Sequence, residues 1–151
     1  MEVLNVIVDQ ISVFLENKIG ALAEVTEVMG DAGIDLRALS LADTTDFGVL
    51  RLIVDDPKRA FGLLRDGGFV VSMTQTLAVP INDVPGGLAK VLKILAEENV
   101  SVEYAYAFIS RKQGTAYVVL RVKDNEHARN VLTKHGVKMP AEGSILDELK
   151  E

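Results

Sequence analysis

The chain has no cysteine. That excludes disulfides, thiolate catalysis and thiolate-ligated metal, and it suits the cytosol. Histidine is almost as scarce. His127 and His135 fall in or just after the last helical pattern, on polar positions, and read as surface residues with no acid or nucleophile at informative spacing. No Walker loop, paired-carboxylate or metal-ligand constellation occurs. The expectation is a protein that is not an enzyme, with no catalytic residue, no metal and no cofactor. A basic patch is also missing. The net charge is −6, with acids and bases interspersed, which speaks against nucleic acid as a partner. Long apolar runs are absent too. Val3–Val8 is short, lacks a basic flank and a cleavage site, and is interrupted by Asp9, so it reads as strand and not as a signal peptide or membrane span. A cytoplasmic protein with no membrane partner is expected.

What is present is a repeat. The 151 residues are 48% hydrophobic and 25% charged, enough for a folded chain of one domain or two small ones. Asn17-Lys18-Ile19-Gly20-Ala21-Leu22-Ala23-Glu24-Val25 recurs as Asp83-Val84-Pro85-Gly86-Gly87-Leu88-Ala89-Lys90-Val91. In the first copy, Ile11–Leu15 is rich in strand formers. Leu22, Val25, Met29 and Ala32 then repeat at helical spacing, and Gly33 closes the helix. Ile34–Ala42 and Val49–Val54 read as strands around an Asp43-Thr44-Thr45-Asp46 turn. Asp56-Pro57 starts a helix, Gly67-Gly68 stops it, and Phe69–Met73 is a fourth strand. The second copy has the same order. Thr76–Ile81 is a strand, and Leu88, Val91, Leu92 and Leu95 mark a helix face. Asn99 stands at the Gly33 position, ready for the left-handed cap. Val100–Ile109 and Ala116–Val122 are strands joined by Arg111-Lys112-Gln113-Gly114. Asp124 caps a helix that ends at Gly136, and Val137–Met139 is a closing strand, with a last helical turn from Ser144 to Leu149.

Two β-α-β-β-α-β units define an α+β protein of two ferredoxin-like sandwiches. Each has an antiparallel sheet with helices on one face, and the two pack as an internal pseudo-dimer of residues 1–75 and 76–151. Ala38–Leu41 is apolar on both sides. Tyr104, Tyr106 and Phe108 alternate on one side of its counterpart, with Ala105, Ala107 and Ile109 on the other. Strands apolar on both faces are buried on both. The uncovered face must then meet the partner repeat or a second chain, and a homodimer is expected.

The strand-to-helix turn is the candidate site. Gly20 and Gly86 sit where the chain enters a helix, and glycine lets a backbone approach a ligand closely. The first helical amides lack intrahelical partners and carry the positive end of the dipole, so a carboxylate or phosphate can dock there. A plain tight turn accounts for the same residues. Asp43, Thr44 and Asp46 read as turn chemistry, and Asp55-Asp56 as helix capping.

The pattern strand, Asn/Asp-x-Pro-Gly-x-Leu, helix, then Gly-Ile-Asp-Leu resembles the ACT domain family. Asn82–Leu88 and Glu16–Leu22 carry the first element, Gly33-Ile34-Asp35-Leu36 and Asn99-Val100-Ser101-Val102 the second. The resemblance extends from about Ile11 to Met139 as a tandem pair, like small stand-alone ACT proteins. It implies an amino-acid ligand held at an interface between domains, and a regulatory role. Carried onto this chain, one site would use Asn17, Lys18, Ile19, Gly20, Ala21 and Leu22 with Ile34 and Asp35. The other would use Asp83, Val84, Pro85, Gly86, Gly87 and Leu88 with Val100, Ser101 and Glu103. Backbone amides would take the ligand carboxylate and a side-chain acid or amide its ammonium. Ile19 stands where the family pattern has Pro, which leaves the rigidity of the first turn open. Arg37 occupies the position of Glu103, and for both an ion pair or a solvated strand position is an equal alternative. The first copy is also similar to the small subunit of acetohydroxyacid synthase, which implies a regulatory subunit docking on a target enzyme of amino-acid biosynthesis.

Overall fold

The computed structural model describes residues 7–43, 46–108 and 114–137. Along them run β1 (Ile7–Glu16), α1 (Ala21–Asp31), β2 (Leu36–Asp43), β3 (Phe47–Val54), α2 (Pro57–Asp66), β4 (Val70–Asn82), α3 (Gly87–Glu97), β5 (Val102–Phe108), β6 (Thr115–Val122) and α4 (Asn125–Lys134). The predicted alternation of strands and helices is therefore present in full in the first copy and up to the last helix in the second. Val3–Val6, Thr44-Thr45, Ile109–Gln113 and the Ser144–Leu149 turn lie outside the described residues.

The chain divides into two compact units. One is Asp9–Thr74, and the other runs from Gln75 onward and includes Ile7 and Val8 from the start of β1. In the first unit the strand order is β2-β3-β1-β4. Strand β1 pairs with β3 from Ile11↔Leu52 to Glu16↔Phe47. Strand β3 pairs with β2 from Val54↔Leu36 to Gly48↔Asp43, with a bulge between Leu36 and Ala38. Alternation decides the core. Ile11, Val13 and Leu15 from β1 and Leu50, Leu52 and Val54 from β3 face Val25 and Met29 of α1 and Ala60 and Leu64 of α2. Each such aliphatic side chain contributes about 1.5–3 kcal/mol on burial.

The second unit has the order β1-β4-β6-β5. Its pairings run from Leu77↔Leu120 to Asn82↔Thr115 and from Val102↔Val122 to Phe108↔Tyr117, with the bulge again one turn into the strand, between Val102 and Tyr104. Val91, Leu95, Ala128, Val131 and Leu132 supply the buried helix faces.

Three expectations change. Phe69–Met73 and Thr76–Ile81 are not separate strands but one 13-residue strand, β4, that continues from one unit into the other. No turn-forming residue stands between them, so the ladder is not interrupted. Val137 is not in a strand, and Lys138 and Met139 lie outside the described residues. The place beside β4 is held by β1, and the Thr76 hydroxyl donates to the Val8 carbonyl at 3.4 Å. Finally, β2 and β5 are not buried on both faces. Leu39 and Leu41 are half exposed, and Ala105 and Ala107 are exposed, while Ala38 and Phe108 are buried. Both are outermost strands, each with a neighbour on one edge only among the described residues.

Candidate functional site

The two Gly turns have the same backbone. Gly20 has φ 87° and ψ −6°, Gly86 φ 87° and ψ −5°. Every turn hydrogen bond has its counterpart. Asn17 N–H donates to Asp46 O at 3.0 Å and Asp83 N–H to Gly114 O at 3.2 Å. Ala21 N–H donates to Lys18 O at 3.3 Å and Gly87 N–H to Val84 O at 3.0 Å. Glu24 and Lys90 N–H donate to Gly20 and Gly86 O, both at 3.0 Å. The left-handed φ explains the two glycines, since a side chain there is strained. Ile19, fully exposed in place of Pro85, stands beside a glycine of the same conformation.

The helices divide into two kinds at their starts. Asp56 accepts from Arg59 N–H at 3.3 Å and Asp124 from His127 N–H at 3.1 Å, so α2 and α4 satisfy an orphan amide with their own carboxylate. Helices α1 and α3 have no side-chain cap. Of their first-turn amides, Ala21 and Gly87 N–H are used within the turn, and none receives a side-chain cap. The turns differ in one step. Ala21 has a Cβ at the position where, in the second copy, a Cβ on Gly87 would fall on the carbonyl of Asn82.

Residues at the strand starts do different work. Ile34 N–H donates to Met29 O at 3.0 Å and Val100 N–H to Leu95 O at 2.8 Å. With Gly33 at φ 71° and Asn99 at φ 60°, these bonds close α1 and α3 in the left-handed cap the sequence predicts. Asp35 is bound into the sheet end, its N–H donating to Asp55 Oδ1 at 3.0 Å while Asp55 N–H donates to Asp35 O at 3.2 Å. Arg37, only 4% exposed, pairs with Asp35 at 3.5 Å, and Glu103 pairs with Arg121 at 3.4 Å. Arg37 and Glu103 are therefore both in ion pairs, one buried and one open.

Within one unit the turn and the strand start are not brought together. The first turn follows Glu16, which faces Phe47, whereas Leu36 faces Val54 at the other end of β3. The seven steps between those eight residues span about 23 Å at roughly 3.3 Å each. Asn82↔Thr115 and Val102↔Val122 repeat that separation in the second unit. The sequence missed Asp55, Arg121, Asn125 and Gln75 as partners, because each meets its neighbour across strands and no local spacing announces it.

His127 and His135 are both exposed, as expected, and His135 Nε2 lies 3.2 Å from Glu98 Oε1. That hydrogen bond, and then the charge of Lys134, hold the Glu98 carboxyl below its ordinary value. Among the described residues no group of three or more His, Cys, Asp or Glu could hold a metal ion, and no helix is long and apolar enough to cross a membrane.

Two ferredoxin-like units in tandem, each entering its first helix through an uncapped glycine turn, define a paired small-domain architecture. The chain belongs to the ACT domain pair family, whose model matches residues 6–148. It is similar to protein BT0572 from Bacteroides thetaiotaomicron, at 42% identity and a TM-score of 0.82, over 88% of this chain and 91% of that one. The regulatory subunit of aspartate kinase from Thermus thermophilus shares the fold at 16% identity and a TM-score of 0.64, over 88% of this chain and 95% of its own. That from Thermus flavus does so at 14% identity and 0.58, over 88% and 98%. None of the curated proteins matches.

Proposed function

We propose that this is a non-catalytic regulatory protein that binds an amino acid at the β1–α1 and β4–α3 turns. The observation that carries the reading is the contrast in helix starts. The two helices that follow a glycine turn leave their amides without a side-chain cap, while the other two are capped by aspartate. A ligand carboxylate fits the vacant role, with Asn17–Leu22 and Asp83–Leu88 around it. The names of the Thermus structures, regulatory subunits of aspartate kinase, support a regulatory role of this kind. Because a turn and a strand start lie at opposite ends of one unit, a ligand touching both would draw one of them from a second chain, which favours a homodimer. A cytoplasmic location accords with this role.

A thermal-shift screen against the common amino acids tests the proposal. A genuine ligand at about 100 times its Kd adds about 2.7 kcal/mol of stability. If no amino acid stabilises the protein or gives heat on titration, the proposal fails. A second reading, docking on a biosynthetic enzyme such as acetohydroxyacid synthase, is favoured by Phe14 and Phe47, 46% and 58% exposed near the first turn. Co-purification with a catalytic subunit, and a change in its activity, would support it.

A further inference from the structure

Strand β4 changes units at Gln75, and the Gln75 carbonyl does not act alone. It accepts from Arg121 Nη1 at 3.2 Å and from Asn125 Nδ2 at 3.0 Å. The ladder of β4 with β6 begins two residues later, at Leu77↔Leu120, so two side chains take hold of the strand just ahead of that ladder. The Arg121 guanidinium reaches in a second direction, where its Nε lies 3.4 Å from Glu103 Oε2. Glu103 sits in the bulge of the outermost strand β5, with its side chain 55% exposed. Asn125, the first residue of α4, spends its amide N–H on Gln75 while its buried Oδ1 has no hydrogen-bond partner among the described residues. The amide is thus committed to the Gln75 carbonyl at a cost to its own oxygen.

We propose that Glu103 and Arg121 form a charge latch on Gln75, through which the charge at an open position of β5 is felt in the strand shared by both units. Arg121 is a positioning residue whose guanidinium is shared between an exposed carboxylate and a strand carbonyl. When the carboxylate is neutralised, covered by a cation or screened by salt, the guanidinium loses the partner that orients it, and its grip on Gln75 weakens. Asn125 then holds the carbonyl alone. A cationic group arriving at Glu103 is in this way reported to β4. The latch stands on its own geometry, so failure of the amino-acid screen leaves it intact, and failure of the latch leaves the screen to be judged separately.

Hydrogen exchange of peptides covering β4 and β5 tests it in the full chain. Glu103→Gln and Arg121→Lys should each speed exchange around Gln75–Leu77 on the order of two- to fivefold, the scale a half-exposed ion pair can supply. Glu97→Gln, which removes an equal charge from the exposed side of α3, should leave β4 as in the wild type. Raising the ionic strength should move wild-type β4 exchange toward that of Glu103→Gln and leave the variant unmoved, a response that a purely structural contact would not give. Faster exchange in β5 alone, with β4 unchanged in both variants, would overturn the latch.

Discussion

The first and second Gly turns share one backbone and differ in nearly everything around it. The first has Ile19 and Ala21 where the second has Pro85 and Gly87, yet their glycine dihedrals agree within a degree. At the opposite end of the first unit's sheet, Arg37 is sunk beside Asp35; at the opposite end of the second's, Glu103 is open beside Arg121. Phe14 on the first unit's sheet is half exposed, whereas Pro80 at the matching place in the second is buried. Turn shape is set by the left-handed glycine and the ladder bonds on either side, and proline only follows it. What has diverged is the surroundings, where a binding preference would be written.

The largest test of this comparison is the charge exchange. Arg37→Ala should destabilise by about 2–4 kcal/mol, since it empties a packed stem and strips Asp35 of its partner. Glu103→Ala should cost about 1 kcal/mol or less, because its pair is open to water. Chemical denaturation of both variants measures the gap, and equal losses would erase the distinction. Next comes the step after the glycine. Gly87→Ala drives a methyl at the Asn82 carbonyl and should cost about 1–3 kcal/mol, whereas Ala21→Gly should cost about 1 kcal/mol or less. Ile19→Pro should sharpen the likeness: the backbone already matches that around Pro85, so the variant should gain about 0.4–1 kcal/mol in denaturant melts. The smallest effect concerns Glu98. Its folded-state pKa lies below the ordinary 4.5, so its contribution is present above that value and disappears as the pH falls below it. Melting temperatures of Glu98→Gln and the wild type should converge on the acid side and separate slightly near neutrality, in favour of the wild type.

Much of this was legible in the chain. Asp56-Pro57, Asp124, Gly33 and Asn99 are local signals that act through their own backbone, and each does what its residue type predicts. The duplicated turn was equally readable, because most of its bonds run within a few residues; those from Asn17 to Asp46 and from Asp83 to Gly114 are the long-range exceptions. The long-range pairings were not. That β4 runs unbroken past Gln75, that β1 supplies the strand beside it, and that Arg121 lies between Glu103 and Gln75 all depend on register between distant segments. The site suffers from the same blindness. Asn17–Leu22 and Ile34-Asp35 follow one another closely in sequence, but an intervening helix carries the chain back along the sheet and leaves them a strand length apart.

The continuity of β4 gives the duplication a different meaning from two beads on a string. A gene cut between codons 75 and 76 would divide a strand, and the first fragment would carry away Ile7, Val8 and Gln75, which belong to the second unit. On the ribosome, Ile7 and Val8 emerge well before Gln75 and the residues after it, and have no β4 partner until those follow. The second unit therefore closes around a segment made before the whole of the first unit. Two units that each take residues from β1 and β4 inherit mutations jointly: a change in either strand is tested by selection in both at once, while the turns, each owned by one unit, are free to drift apart.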